Sequence, residues 1–121
     1  NIGAKAAQLG TAFLTCPETG TSNIHKHYLL NEQQRKTKIT KAFSGRMARG
    51  IYNKFIEEMD GKKIFPFPIQ NTITTPLRRV SQDNNNGEFI NLWAGINFNQ
   101  VRDLSAAELM KKLAEEFRAD N

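Results

Sequence analysis

The sequence contains few of the residues that form disulfides and metal sites. Among its 121 residues there are one cysteine, Cys16, and two histidines, His25 and His27. A single cysteine excludes an intrachain disulfide and a cysteine-based zinc site, and it fits a reducing, cytoplasmic location. The two histidines are two positions apart, which on a helix directs them about 200° from each other. We therefore predict no metal site and expect both histidines on a helix surface.

Long apolar runs are also missing. No stretch reaches the roughly 18 residues that a membrane-spanning helix requires, so we expect no membrane partner. The hydrophobic fraction is 39%, which is low for an independent domain. The chain also opens inside an apolar run at Asn1 without a secretory leader. We therefore expect a fragment of a larger protein, whose neighbouring sequence supplies the missing core, with a processed or trimmed terminus as the alternative.

Positive charge is in excess but is not concentrated. The formal net charge is +5, and such a balance can indicate a nucleic-acid partner. The 17 Lys and Arg residues are, however, spread along the chain, and aromatic residues do not alternate with them as a stacking platform requires. We favour a solvated basic surface and expect no nucleic-acid partner. A basic nucleic-acid-binding module remains the alternative from a different class of function.

The first apolar segment ends at a glycine. Residues 4–10 are small and mostly apolar, which is typical of a strand buried on both faces of a parallel sheet. A short helix is predicted after Gly10. Where a barrel strand meets a short helix, free N–H groups and the helix dipole attract anions, often a phosphate. The turn at Gly10 and Thr11 is therefore our leading binding-site candidate, and an ordinary tight turn is the alternative.

Three elements are predicted in the middle of the chain. Ser22 or Asn23 can cap a helix that runs to about Glu32. The β-branched residues of 37–44 predict a strand. Apolar residues at every fourth position predict an amphipathic helix over 47–59.

Two more helices are predicted towards the end. Pro68 can open one of them, and Pro76 should kink it or split it. Its predicted inner face consists of Ile69, Ile73, Leu77 and Val80. Ser105 and Glu108 form a capping box that starts the final helix.

Two further clusters could take part in binding. Arginines beside glycines in residues 44–50 suit an ion pair that anchors the following helix. Trp93 is followed by two small residues, which allows a flat ring or another backbone to approach, although a core tryptophan is the alternative. The chain offers no Ser-His-Asp set, no paired carboxylates in an apolar setting and no Walker-type loop. We therefore assign no catalytic residue.

Five motifs, taken in order, resemble the nitronate monooxygenase family, formerly called 2-nitropropane dioxygenases. They are AAQLGTAFL at 6–14, AFSGRMARG at 42–50 with NKF at 53–55, PFPIQN at 66–71, LWAG at 92–95 and RDL at 102–104. Each motif is weak alone, but their order is fairly specific and covers nearly the whole chain.

The resemblance implies an α/β fold. The chain would be a C-terminal fragment of an FMN-binding (β/α)8 TIM barrel with a mainly helical inserted substrate domain. Residues 1–21 would form the last barrel strand and the phosphate-binding turn. Residues 22–87 would form the helical substrate or lid domain, and residues 88–121 would return to the barrel and end in the final helix.

The resemblance also implies a flavin-dependent monooxygenase that oxidises alkyl nitronates (nitroalkanes) with molecular oxygen. Gln8, Gly10 and Thr11 would bind the FMN phosphate. The substrate-side candidates are Asn91, Trp93 and Gly95. The catalytic histidine of the family is expected upstream of this chain, so the fragment alone should be inactive. Members often carry serine at the position of Asn91, which leaves the substrate open. A flavin-dependent enoyl-ACP reductase is the alternative among flavin enzymes.

Overall fold

A computed structural model of the chain describes residues 3–119, and predictions for residues 1, 2, 120 and 121 lie outside this part. The regular elements are helix α1 (Asn23–Asn31), strands β1 (Thr37–Thr40) and β2 (Ala48–Ile51), and helices α2 (Lys54–Glu58), α3 (Ile69–Asp83) and α4 (Ala106–Ala119). Short 3₁₀ helices lie at Thr11–Phe13, Gly87–Phe89 and Phe98–Gln100. Within the described residues, no helix is both long and apolar enough to cross a membrane.

The segment before the Gly10 turn forms no strand. Residues 4–10 are exposed and carry no ladder hydrogen bonds, so the prediction of a buried strand is wrong for this structure. A strand requires a neighbour that pairs with its N–H and C=O groups, and no strand of residues 3–119 lies beside this segment. The short helix predicted after Gly10 is confirmed as the 3₁₀ helix Thr11–Phe13.

Strands β1 and β2 pair antiparallel, with Thr37 opposite Ile51. The strand predicted over 37–44 is thus confirmed in its first half. The helix predicted over 47–59 is wrong in its first part, which forms β2, and confirmed in its second part, where α2 is helical. Long-range pairing decides this outcome: the N–H of Ile51 donates to the Leu92 carbonyl at 2.8 Å. Gly50, inside β2, would also weaken a helix at this point.

Two apolar clusters form the core. The first joins α1 to β2 and to the segment 90–98, and it contains Tyr28, Leu29, Ile51, Ile90, Leu92, Ala94 and Phe98. The second lies between the residues that follow β1 and α2, and it contains Ala42, Phe43, Phe55 and Ile56. The helix predicted to begin near Ser22 is confirmed, since the Ser22 hydroxyl accepts a hydrogen bond from the His25 N–H. The helical pattern predicts Ile24, Tyr28 and Leu29 on its inner face; Tyr28 and Leu29 are buried, and Ile24 is partly buried against the first cluster.

Helix α3 packs on the rest of the chain through polar side chains. Gln70 Nε2 donates to the Ala42 carbonyl at 2.6 Å, and Thr74 Oγ1 donates to the Phe43 carbonyl at 2.6 Å. The predicted apolar inner face is wrong, because its four residues are between 39% and 60% exposed. The buried carbonyls after β1 need donors, which the polar face supplies. The helix remains a single element through Pro76.

Helix α4 begins as the sequence predicts. The Ser105 N–H donates to the Glu108 carboxylate, and the Glu108 N–H donates back to the Ser105 hydroxyl at 3.3 Å. This reciprocal arrangement confirms the capping box. The helical spacing predicts Leu109, Leu113 and Phe117 on one face; Leu109 is buried, whereas Phe117 is 72% exposed.

Candidate functional site

The predicted phosphate turn contacts the segment that follows Trp93. Thr11 Oγ1 accepts a hydrogen bond from the Gly95 N–H at 2.9 Å, across 84 residues of sequence. A hydroxyl that accepts one bond can still donate its own proton, and no residue in the described part of the chain accepts it. Two candidates from opposite ends of the sequence therefore meet. We call this contact the Thr11–Gly95 bridge.

The turn itself presents N–H groups that the chain does not use. The carbonyls of Gly10 and Thr11 accept from Phe13 and Leu14 at 3.0 and 3.1 Å. The N–H groups of Gly10, Thr11 and Ala12 have no acceptor among residues 3–119. A Cβ placed on Gly10 would meet no atom within 4 Å. The turn can therefore accept an anionic group that approaches from outside this chain.

A cleft of about 400 Å³ opens beside the turn. Gln8, Gly10, Thr11 and Gly95 all line it, together with residues of the Phe98–Gln100 helix and α4. The structure thus brings the three predicted phosphate-binding residues and one substrate-side candidate into a single cleft.

Trp93 serves mainly in packing. Its ring meets Phe43 edge to face, with ring centroids 5.7 Å apart. It also covers Gly50 so closely that a Cβ there would lie 3.1 Å from the indole ring. We predicted that a flat ring or another backbone could approach closely at Trp93. The backbone of Gly50 makes this approach. Trp93 also packs against the second apolar cluster, in line with the alternative of a core tryptophan.

His25 is not the surface residue that the sequence predicts. It is half-buried, and its Nε2 lies 3.1 Å from the Trp93 carbonyl. A carbonyl only accepts, so Nε2 carries a proton. Burial lowers the pKa of His25, while the bond to Trp93 opposes this shift. His25 therefore connects α1 to the segment that carries the site candidates. His27 is exposed, as predicted. In the described part of the chain, no group of three His, Cys, Asp or Glu residues could hold a metal.

Asn91 lies apart from the Thr11–Gly95 bridge. It lines a second cleft with Leu14, His25 and the loop residues 19–22, and a third cleft with Arg78 and Arg79. Arg78 Nη1 donates to Asn91 Oδ1 at 3.2 Å. The sequence placed Arg78 in a solvated basic surface and missed this contact. The only sequence signal is that Asn71, Thr75 and Arg78 share one face of α3 at helical spacing.

The arginine and glycine cluster of residues 44–50 does not form the ion pair we predicted. Arg46 lies over the Phe67 ring at 4.0 Å, and Arg49 donates to the Thr37 hydroxyl at 3.0 Å. No ion pair of Arg46 or Arg49 occurs within residues 3–119. Gly45 has a φ of +84°, and a Cβ there would lie 2.6 Å from the Phe65 carbonyl. This cluster therefore positions the backbone around Phe65 and Phe67.

The fold of this chain matches one part of a larger known enzyme. A solved structure of nitroalkane oxidase from Streptomyces ansochromogenes superposes with a TM-score of 0.91 at 37% identity, covering 97% of this chain and 34% of that one. The family model for nitronate monooxygenase matches residues 1–116. The chain belongs to the nitronate monooxygenase family, and the assignment made from its five motifs is confirmed.

Two curated relatives support the same assignment. A probable nitronate monooxygenase of Bacillus subtilis (strain 168) is 36% identical over 118 residues, which are 95% of this chain and 34% of the relative. One from Staphylococcus aureus (strain Newman) is 42% identical over 96 residues, 78% of this chain and 27% of the relative. The chain thus spans between about a quarter and a third of the length of these relatives and corresponds to their C-terminal part. The predicted fold class, a C-terminal portion of a barrel enzyme, is confirmed by the structural match.

Proposed function

We propose that the complete enzyme containing this chain is an FMN-dependent oxidoreductase that oxidises alkyl nitronates with molecular oxygen. Membership of the nitronate monooxygenase family and the likeness to a nitroalkane oxidase support a substrate of the nitroalkane type. The Thr11–Gly95 bridge is the observation that most supports a phosphate-bearing cofactor, because it fixes a hydroxyl donor beside free N–H groups.

The residues present fit the phosphate end of FMN. Gly10 leaves open space, and its N–H and that of Thr11 can both donate to phosphate oxygens. The Thr11 hydroxyl adds a side-chain donor, and Gln8 lines the same cleft. When bound, FMN would supply the capacity to accept electrons from the substrate. The contribution of this chain is to bind and orient the cofactor at its phosphate.

On the substrate side, Asn91 is the candidate with a free donor. Its Oδ1 accepts from Arg78, which leaves Nδ2 to donate to an oxygen of a nitro or nitronate group. Trp93 contributes through packing, since its ring covers Gly50 and Phe43. Gly95 contributes its N–H to Thr11. We propose that these two residues hold the segment in place and that Asn91 contacts the substrate.

The test uses a joined enzyme, in which this chain replaces the matching C-terminal third of the Bacillus subtilis relative. We expect the purified joined enzyme to hold FMN and to consume oxygen when an alkyl nitronate is added. An enzyme that takes up FMN but consumes no oxygen with any alkyl nitronate would refute the proposed reaction.

The phosphate site is tested by Thr11→Val. The change removes the donor to the phosphate and the acceptor of the Gly95 N–H. Since hydrogen bonds to charged groups contribute roughly 1.5–3 kcal/mol, FMN affinity should fall by about 10- to 100-fold. Thr11→Ser should retain most of the affinity. Thr72→Val is the matched control, because within residues 3–119 the exposed Thr72 hydroxyl bonds only to the Pro68 carbonyl. Equal FMN affinity in the Thr11→Val and Thr72→Val enzymes would exclude Thr11 from the site.

The enoyl-ACP reductase alternative is distinguished by its reductant. Under anaerobic conditions, NADH should reduce the flavin of a reductase rapidly and that of a nitronate oxidase slowly. Rapid reduction by NADH, combined with no oxygen uptake on nitronate, would favour the alternative. Family membership favours either flavin enzyme over the nucleic-acid-binding alternative.

A further inference from the structure

Arg78 is held in place by its own helix. Its Nη2 donates to the Asn71 carbonyl at 3.0 Å, to Asn71 Oδ1 at 2.8 Å and to Thr75 Oγ1 at 2.9 Å. Three acceptors on one nitrogen leave the guanidinium little freedom to rotate. Nη1 is directed away from these acceptors to Asn91, 13 residues further along the chain. Arg78 is therefore a rigid donor aimed at one side chain.

This donor determines the orientation of the Asn91 amide. Arginine has only donors, so the group at 3.2 Å from Nη1 must be the amide oxygen and not the amide nitrogen. A flipped amide would place NH₂ against a guanidinium N–H. The two Nδ2 protons of Asn91 consequently point to the side away from Arg78, and no residue among 3–119 accepts them.

Asn91 also lines the cleft that contains His25. Asn91 lines both the cleft with Leu14 and His25 and the cleft with Arg78, whereas Arg78 lines only the latter. Because the amide oxygen is bonded to Arg78, the amide nitrogen is the end of the side chain that remains to donate to a ligand in the His25 cleft.

We propose that Arg78 is a positioning residue for substrate recognition. It holds the Asn91 amide so that the enzyme selects ligands with an acceptor oxygen, such as a nitro or nitronate group, in the His25 cleft. This inference rests on the proposed function, in which Asn91 contacts the substrate.

A purely structural role explains the arrangement less well. Arg78 Nε is buried and has no acceptor in the described part of the chain, and burial lowers the pKa of this guanidinium. A buried N–H without an acceptor destabilises a protein. A neutral side chain could tie α3 to Asn71 without this cost. A fixed donor to Asn91 is the feature that requires arginine here.

The test is a double-mutant cycle in the joined enzyme, built from Arg78→Met, Asn91→Ala and the double variant. Two quantities are measured: KM and kcat for an alkyl nitronate by oxygen uptake, and the Kd of nitrate by perturbation of the flavin absorbance. Nitrate has a planar O–N–O group and is not oxidised, so its Kd reports binding without turnover.

We expect Arg78→Met to raise KM and the nitrate Kd by roughly three- to tenfold, the range of one hydrogen bond. Its kcat should change less than about twofold, because Arg78 acts on binding. In the Asn91→Ala background, Arg78→Met should have no further effect. Arg78→Lys should recover part of the loss, since lysine can still donate to Asn91. Arg79→Met is the control, because Arg79 is exposed, and it should leave both constants unchanged.

Additive effects of the two substitutions on the nitrate Kd would overturn the proposal, because Arg78 would then act independently of Asn91. An equal rise of KM and of the nitrate Kd in Arg79→Met would also overturn the proposal, because loss of any positive charge would then explain the effect. The two hypotheses are separable: missing oxygen uptake refutes the nitronate reaction, while the nitrate cycle by itself tests the Arg78–Asn91 coupling.

Discussion

Asn53 is the buried polar residue whose replacement should destabilise this chain most. It is 2% exposed and makes three hydrogen bonds. Its Oδ1 accepts from the Ile56 N–H at 3.2 Å and so caps α2. Its Nδ2 donates to the Gly87 carbonyl at 2.9 Å and to the Ile90 carbonyl at 2.8 Å. One side chain therefore links α2 to the segment that leads to Asn91.

The magnitude of Asn53→Ala follows from these three bonds. Loss of a helix cap costs about 0.5–2 kcal/mol. Each carbonyl left buried without a donor costs about 1–3 kcal/mol more, although water entering the space would offset part of it. We expect a total near ~3–5 kcal/mol. Asn53→Asp keeps the cap but turns a carboxylate oxygen towards two carbonyl oxygens, so it should cost at least as much at neutral pH.

The assay is amide hydrogen exchange of peptides that cover α2 and residues 86–93 in the joined enzyme. Since about 1.4 kcal/mol is a factor of ten in an opening equilibrium, exchange in Asn53→Ala should be about 100- to 3,000-fold faster. Ser22→Ala is the matched control, because the Ser22 side chain caps α1 with one hydrogen bond and lies outside both apolar clusters. If Asn53→Ala accelerates exchange no more than Ser22→Ala does, the two carbonyl bonds do not stabilise the fold as we argue.

Three further predictions concern the Tyr28, Gly87 and Glu88 contacts. Gly87→Ala should lower the free energy of unfolding by roughly 1–3 kcal/mol or more, because the new Cβ would lie 2.3 Å from the Tyr28 ring. Gly20→Ala is the control, because a Cβ there would meet no atom within 4 Å. Equal melting temperatures for the two variants would refute the clash. The Glu88 pKa is lowered: burial would raise it, but hydrogen bonds from Arg35, the Lys54 N–H and Tyr28 outweigh burial. A lowered pKa stabilises the fold fully above the pKa of the unfolded state, and this stabilisation is lost as pH falls through the pKa of the folded state. Glu88→Gln should therefore flatten the dependence of the unfolding free energy on pH below about pH 4.5. An unchanged pH dependence in this range would contradict the prediction. Burial, and then the bond to Glu88, raise the pKa of Tyr28 to about 12, so stability should fall as pH rises from about 10 towards 12, and Tyr28→Phe should remove that slope.

Signals confined to a few neighbouring residues were readable from the sequence. The caps at Ser22 and Ser105 act on N–H groups three residues away, so composition and spacing identify them. The family motifs are also short and ordered, and they sufficed to assign the family. Gln8, Gly10 and Thr11 fall within one such motif, so their placement in a single turn needs no long-range information.

The apolar pattern alone misled wherever a distant partner decided the outcome. Residues 47–59 have helical spacing, but pairing with β1 and with the Leu92 segment makes Ala48–Ile51 a strand. Helix α3 has an apolar stripe, yet its polar face packs, because the carbonyls of Ala42 and Phe43 need donors. Periodicity records which face is apolar and not which face meets a partner.

The sequence by itself determined the family, the helix caps and the residue types of the binding turn, because each depends on chemistry within a few positions. Only the tertiary structure decided that Thr11 bonds to Gly95 across 84 residues and that Arg78 orients Asn91. The physical reason is that a hydrogen bond needs its two atoms within about 3 Å and aligned, and that proximity is set by packing of the whole chain. The candidate residues were readable locally, and their pairing was not.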